Sequence, residues 1–232
     1  MTAVACVDVG ATSITAGVVD GGAIGEVLRR RTRPPIEPAR LIDGIAELLS
    51  KLPQTDRVAV GFPGVVDAGR VVLPGNLGTR TSWRGFALGL ELSERLGREV
   101  RIANDADVAA LGSSRGIGVE LTITLGSGVG TGLVVDGVLQ HHLELSAIPI
   151  GSVASLDDYV GEPARKLIDQ ATWNKRAIEV ITLIADIAGP DQIWLAGGNA
   201  RRVRRTSLGP LEPRLWVVSD PVGLLGGAFL YD

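Results

Sequence analysis

Two stretches half a chain apart spell the same short pattern. Gly10, Thr15, Val18, Val19, Asp20 and Gly21 recur as Gly126, Thr131, Val134, Val135, Asp136 and Gly137, a constant offset of 116 positions in 232 residues. Each stretch reads as strand, glycine turn, strand, Asp-Gly turn. Asp-Gly suits a tight hairpin because both residues tolerate positive φ. Coincidence is one reading, since Val-Val-Asp-Gly is easily reproduced. The other is two like-folded halves facing each other across a cleft.

The rest of the chain fits two α/β halves. Short Val/Ile/Leu runs predict strands over Val4–Val9, Ser13–Val19, Arg57–Gly61, Val71–Leu73, Val100–Ala103, Leu121–Leu125, Thr131–Val135, Gln192–Ala196 and Leu215–Ser219. Helical spacing predicts helices over Pro38–Leu52, Ala87–Leu96, Ala106–Ser114, Asn174–Ala188 and Val222–Leu230. Strands alternating with helices make a layered α/β fold.

Composition narrows the function classes. Hydrophobic residues are 45% and charged residues 21%, with a net charge of −3, which excludes a disordered chain. The single cysteine, Cys6, excludes a disulfide scaffold and points to a reducing compartment. No apolar run reaches the roughly 18 residues of a membrane span, and the N-terminus carries neither a basic region nor a cleavage site. The mildly acidic balance argues against a nucleic-acid binder. The expectation is a cytoplasmic protein that works on small molecules, with neither membrane nor nucleic acid as partner.

Two glycine-rich segments are candidates for holding phosphate. The first is Asp8-Val-Gly10-Ala-Thr12-Ser13, and the second runs from Gly126-Ser127-Gly128 through Gly130 and Thr131. Glycines let backbone N–H groups approach an anion, and hydroxyls add donors. Two such turns in equivalent places can clamp one polyphosphate chain. Tight turns without a ligand are the alternative. A P-loop is excluded because none of Lys51, Lys166 and Lys175 follows a glycine. A dinucleotide fingerprint fails too: counting from Gly126, Gly128 or Gly130, its last glycine falls on Thr131, Leu133 or Val135. Asp8, at the end of an apolar strand, is placed either to hold Mg²⁺ through water or to form a turn.

Asn104-Asp105 stands where a strand runs into a helix. Both types are preferred N-caps. The functional reading is a general base: phosphoryl transfer to an alcohol needs a carboxylate to accept the hydroxyl proton.

The ordered set Asp8-x-Gly10-x-Thr12, Gly61-Phe-Pro-Gly64, Asn76, Asn104-Asp105-Ala106, Leu125-Gly-Ser-Gly-Val-Gly-Thr-Gly132 and Gly197-Gly198 resembles the ROK family of bacterial sugar kinases and sugar-responsive repressors. Within it the chain is most similar to the polyphosphate/ATP-dependent glucokinase branch. The resemblance implies the actin/hexokinase-like (ribonuclease H-like) ATPase fold, with lobes of residues 1–106 plus 221–232 and of residues 107–220. It implies phosphoryl transfer from ATP or polyphosphate to a hexose hydroxyl, with Asp105 as base, Asn76, Asn104 and Glu144 on the sugar, and Mg²⁺ near Asp8. Gly10, Thr12, Ser13 and Gly126–Thr131 would surround the donor phosphates, and Gly197 and Gly198 would approach the adenosine. A homodimer is also implied. No winged helix precedes Asp8, so the repressor form is not expected.

The chain departs from that pattern in one segment. Where the family reads Glu-x-Gly-His, Glu144 is followed by Ser146 and Ala147. The zinc cysteines are absent, and Cys6, His141 and His142 cannot build a structural zinc site. His141 and His142 read as surface residues of a hairpin end. The lost histidine leaves a second possibility, a sugar- or nucleotide-sensing protein without turnover. A different small acceptor is a third. Arg201, Arg202, Arg204 and Arg205 form either a solvated face or a surface that attracts polyphosphate. The four tryptophans read as packing residues, with Trp83 a candidate for the sugar entrance.

Overall fold

The computed structural model describes residues 2–75, 77–218 and 221–232. It divides into two compact units, Met1–Gly112 with Gly223–Asp232, and Ser113–Val222.

In chain order the first unit holds β1 (Val4–Val9), β2 (Ser13–Asp20), β3 (Ala23–Arg31), α1 (Pro38–Leu49), β4 (Arg57–Phe62), β5 (Val65–Asp67), β6 (Arg70–Leu73), α2 (Arg80–Trp83), α3 (Leu88–Leu96), β7 (Glu99–Asn104) and α4 (Asp105–Ser113). Its main sheet has the order β3-β2-β1-β4-β7. The first three strands are antiparallel, and β4 and β7 run parallel to β1. Strand β1 is apolar on both faces because both are covered. Ala5, Val7 and Val9 face the core built with Leu41, Ile45, Leu49, Leu88 and Leu92 of α1 and α3. Val4 and Cys6 face a smaller core on the opposite side. The α1 stripe is buried as its spacing predicts, but the helix stops at Leu49. Its last turn tightens, Lys51 and Leu52 bonding back three residues, and Leu52 stays buried.

The second unit holds β8 (Val119–Leu125), β9 (Val129–Val135), β10 (Val138–Leu139), α5 (Leu156–Val160), α6 (Glu162–Lys166), α7 (Gln170–Ala188), β11 (Gln192–Ala196) and β12 (Leu215–Val217). Its sheet order, β10-β9-β8-β11-β12, repeats the first unit's pattern of antiparallel and parallel pairs. Helix α7 begins four residues before the expected Asn174, because the Asp169 side chain caps it by accepting from Ala171 and Thr172 N–H at 2.9 and 3.0 Å. The carboxylate of Glu120 is buried in β8. Burial pushes its carboxyl up, but the Arg115 and Gly116 N–H groups, the Ser114 hydroxyl and the Trp194 indole donate to it, outweigh that and hold it below the ordinary carboxylate range.

The last helix, α8 (Val222–Ala228), returns the chain to the first unit. Leu224 and Ala228 join Val4, Cys6 and Ala59. The approach is close: a Cβ on Gly227 would stand 2.9 Å from Cys6 Sγ, and one on Gly226 would overlap the Val108 carbonyl. Burial pushes the Cys6 thiol up to about 12, which makes it inert.

The internal echo survives in topology but not at one offset. In the first hairpin Val9 pairs with Ile14, and in the second Leu125 pairs with Val129. The second glycine turn is thus one residue shorter. First strands match at an offset of 116, second strands at 115. The expected match of Val18 and Val19 with Val134 and Val135 therefore joins residues on opposite faces. The tight turn between β2 and β3 is Gly21-Gly22 (φ 55° and 81°) rather than Asp20-Gly21, and it matches Asp136-Gly137 (φ 48° and 83°) between β9 and β10.

Candidate active site

Strands β1, β4 and β7 end level with one another, since Asp8 pairs with Gly61 and Gly61 with Ala103. Neighbouring strands lie about 4.8 Å apart, so the ends of β1 and β7 are about 10 Å apart with Gly61 between them. Open α/β sheets bind ligands at this carboxyl edge. Two carboxylates stand there, Asp8 on β1 and Asp105 at the start of α4. Gly61 suits the gap, because a Cβ there would be 3.4 Å from Asp105 Cα. Asp8 is half-buried. Burial pushes its carboxyl up to about 6, while the Arg29 charge pulls the other way. A Cβ on Gly223 would lie 3.3 Å from Asp8 Cγ, so the backbone of α8 passes against the carboxylate.

The capping role falls to Asn104. Its Oδ1 accepts from Ala106 N–H at 2.7 Å and Asp107 N–H at 3.2 Å, and its Nδ2 donates to the Gly64 carbonyl at 3.0 Å. The side chain is buried, and one amide hydrogen remains for any other partner. Asp105 Oδ1 accepts from Ala106 N–H at 2.9 Å.

Both glycine turns close on themselves. Gly10 N–H donates to the Ser13 carbonyl, and Gly126 N–H to the Gly128 carbonyl, each at 2.9 Å. These two amides are therefore used inside the turns. Among the described residues, the N–H groups of Ala11 and Thr12 in the first turn, and of Ser127 and Gly128 in the second, donate to nothing. Each turn thus presents two adjacent amides and one exposed hydroxyl, Thr12 or Ser127, a donor set suited to an anion. Ser13 is buried, and its Oγ accepts from Arg29 Nε at 2.9 Å. Gly130 and Thr131 belong to β9 rather than to the turn, and the buried Thr131 hydroxyl donates to the Leu143 carbonyl at 3.0 Å.

The second turn is tied from three sides by residues that the sequence does not single out. Asp157 on α5 accepts Val129 N–H at 2.7 Å, and its carboxylate fills the space a side chain at Gly128 would need. Glu162 N–H, at the start of α6, donates to the Gly126 carbonyl at 3.0 Å. Asn199 N–H donates to the Leu125 carbonyl at 2.9 Å, and Asn199 Nδ2 to Glu162 Oε2 at 3.0 Å. The paired Arg165 guanidinium, with help from Asn199, holds the Glu162 carboxyl down at about 2. Gly197 has φ 87° and a Cβ there would be 2.5 Å from the Leu125 carbonyl, so close packing requires it. Gly198 is exposed, with nothing within 4 Å of a Cβ position.

A third cluster lies between β10 and α5. Ser146 Oγ donates to Glu144 Oε1 at 2.5 Å, and His142 Nε2 lies 3.6 Å from Glu144 Oε2. The His142 contact, with Ser146, keeps the Glu144 carboxyl below its ordinary range against the effect of burial. The His142 side chain is only 9% exposed.

The ROK family sequence pattern matches residues 4–144. The chain belongs to the ROK family. It is 29% identical over 241 aligned residues to a polyphosphate glucokinase of Mycobacterium tuberculosis, covering 96% of this chain and 88% of that one. An inorganic polyphosphate/ATP-glucomannokinase from Arthrobacter sp. strain KM superposes with a TM-score of 0.89 at 25% identity, covering 99% and 98% of the two chains. A ROK family glucokinase from Streptomyces griseus, solved with glucose and AMPPNP, superposes with a TM-score of 0.80 at 22% identity over 98% of both chains. The fold is the actin/hexokinase-like ATPase fold of ROK sugar kinases.

The structure corrects two expectations. His142 is not a surface residue: its ring packs beside Glu144, an imidazole on the same carboxylate although Ala147 replaces the expected histidine. Ser146, in place of glycine, bonds that carboxylate as well. Trp83 is fully buried, its ring tilted against Phe62 at 5.2 Å and edge-on to Phe86 at 5.9 Å, and so lines no entrance. Asn76 lies outside the described residues.

Proposed function

We propose that this ROK protein is a hexose kinase that moves the terminal phosphoryl group of ATP or polyphosphate to a hydroxyl of glucose or a close relative. One observation carries the reading: a single sheet edge bears both Asp8 and Asp105, and two turns of matching topology each offer a pair of unused amides. The relatives, a polyphosphate glucokinase and a polyphosphate/ATP-glucomannokinase, support the enzyme over a sensor without turnover.

In this reading the sugar hydroxyl oxygen attacks the terminal phosphorus as Asp105 takes its proton, and ADP or the shortened polyphosphate leaves. Asn104 fixes the start of α4, and so the base, and offers its last amide hydrogen to the sugar. Glu144, kept ionised by His142 and Ser146, accepts from sugar hydroxyls. The amides of residues 11, 12, 127 and 128 take the donor oxygens, with the hydroxyls of Thr12 and Ser127 beside them.

Among the described residues no group of three or more His, Cys, Asp or Glu side chains gathers to cage a metal. A lone, half-buried Asp8 nonetheless fits Mg²⁺, which keeps most of its waters and completes its shell with phosphate oxygens. Bound there, Mg²⁺ would neutralise charge on the transferring group. The same proposal includes a cytoplasmic homodimer with no nucleic acid or membrane partner. Exposed Ile117, Val138, Leu143, Leu167 and Ile187 on the second unit support self-association.

The test is a coupled assay with glucose and each donor, alongside Asp105→Asn. General-base catalysis contributes about 10²–10⁴-fold. The variant is expected to bind glucose and lose kcat by that order. Near-normal kcat in Asp105→Asn would overturn the assignment.

A further inference from the structure

Immediately after the Gly197-Gly198 turn the chain places Arg201, Arg202, Arg204 and Arg205 within five positions, all exposed. Residues 197–205 contain no acid, so four positive charges gather in a chain whose net charge is −3. Among the described residues none of the four forms an ion pair, whereas Arg30, Arg57, Arg95, Arg101 and Arg165 each lie against a carboxylate. The backbone that carries them is anchored. Ala200 and Val203 are buried in the second unit's core. Arg204 N–H donates to the buried Asn174 Oδ1 at 2.7 Å, and the Arg202 carbonyl accepts from Gln170 Nε2 at 3.3 Å.

The cluster also starts beside the second glycine turn. Asn199 is bonded to Leu125 and Gly126, the residues that open that turn. Two peptide units separate Asn199 from Arg201, a span of at most about 7 Å. The arginine cluster thus begins next to the turn and leads away from it, with Arg205 Nη2 also donating to the Glu212 carbonyl at 3.4 Å.

We infer that Arg201, Arg202, Arg204 and Arg205 form a docking track for a linear polyphosphate, holding the part of the chain that extends beyond the phosphates at the turn. This rests on the donor role proposed for the Gly126 turn. Guanidinium groups bind phosphate oxygens in pairs, and a track of them rewards a ligand in proportion to its length. ATP carries no charge beyond its triphosphate and gains little from such a track.

The experiment compares wild type with the Arg201→Gln/Arg202→Gln and Arg204→Gln/Arg205→Gln double variants, and with the fourfold variant. It measures KM for long-chain polyphosphate, short-chain polyphosphate and ATP, and retention of labelled long-chain polyphosphate on the protein without sugar. Wild-type KM for polyphosphate is expected to fall with chain length and rise with salt. The fourfold variant is expected to raise long-chain KM by about tenfold or more relative to KM for ATP, since each lost phosphate contact weakens a salt-dependent polyanion complex. Unchanged long-chain KM and retention overturn the track, and so does an equal loss of ATP and polyphosphate affinity. A wild type that phosphorylates with ATP but neither uses nor retains polyphosphate overturns the track while leaving the kinase. Length-dependent retention lost in the variants, with no phosphorylation from any donor, sinks the kinase reading and upholds the track. Competition by a DNA oligonucleotide as effective as polyphosphate overturns it in favour of a general polyanion surface.

Discussion

The two glycine turns occupy matching places in two sheets of the same topology, yet they are held differently. The Gly10 turn is tied to β3 and the residue that follows it, through Thr32 N–H to the Thr12 carbonyl at 2.9 Å, the Thr32 hydroxyl to the Gly10 carbonyl at 3.1 Å and Arg29 Nε to Ser13 Oγ at 2.9 Å. The Gly126 turn is tied to α5, to α6 and to the turn after β11, with the carboxylates of Asp157 and Glu162 in the network. The strand leading into the first turn ends in Asp8. The matching position before the second is Thr124. One turn has a carboxylate beside it and the other a brace. The shared topology gives both turns the same backbone donors, while the side chains around them differ.

The sharpest way to break this comparison is to remove what only one copy has. Asp8→Asn is expected to lower kcat by about 10²-fold or more, the scale of losing a charged group that acts on a transferring phosphoryl. Adding Thr124→Asp to that variant should restore nothing, because the second turn is built for bracing. Recovery of activity in the double variant, measured by sugar phosphate formed per enzyme, would show the two edges to be interchangeable and the division of labour wrong.

A smaller effect is expected from the glycines themselves. Gly128→Ala drives its methyl into the Asp157 carboxylate and breaks the bond to Val129, a loss of about 1–3 kcal/mol. A methyl at Gly10 meets the Ser13 carbonyl at 3.2 Å, a contact that gives with a small backbone shift. At Gly126 nothing lies within 4 Å. Thermal unfolding should therefore rank the alanine variants Gly128 below Gly10, and Gly10 below Gly126. A Gly128 variant no less stable than the other two means the second turn is not braced by Asp157.

Much of this was legible in the sequence where the signal is local. The bounds of β1 and β11 follow from apolar runs, and the α1 stripe from its period. Strand β3 was missed because it is an exposed edge, Glu26 and Arg29 to Arg31 among its residues, with no alternation to read. Helices α5 and α6 are five residues each, too short for a period to show. The turns themselves were legible, but identity of residue hid the one-residue difference in their length. The braces were not: Asp157 and Glu162 reach back across 28 and 36 positions, and only the fold brings them to Gly126 and Val129. His142 was misplaced for the same reason, since a hairpin end reads as surface until the segment after it folds back.

The smallest effect tests whether the brace is electrostatic. The Glu162 carboxyl titrates at about 2 in the folded protein, against an ordinary value of 4.5. A depressed value means that folding favours the ionised form. Its contribution is full above the ordinary value and is lost as pH falls through about 4.5 toward 2. Glu162→Gln should lower Tm by a few degrees near neutral pH. The gap to wild type should then narrow as acid neutralises the wild-type carboxylate. The ties on the Gly10 turn run from the Thr32 hydroxyl and amide and the Arg29 guanidinium to uncharged oxygens, and none of these groups takes up a proton in this range. Amide exchange at Asn199, whose side chain bonds the Glu162 carboxylate and whose N–H bonds the Leu125 carbonyl, is therefore expected to accelerate before exchange at Gly10 as pH is lowered, after correction for intrinsic rates. A Tm gap that stays constant with pH, or simultaneous loosening of both turns, would mean that α6 holds the second turn through its backbone bond to Gly126 and not through charge.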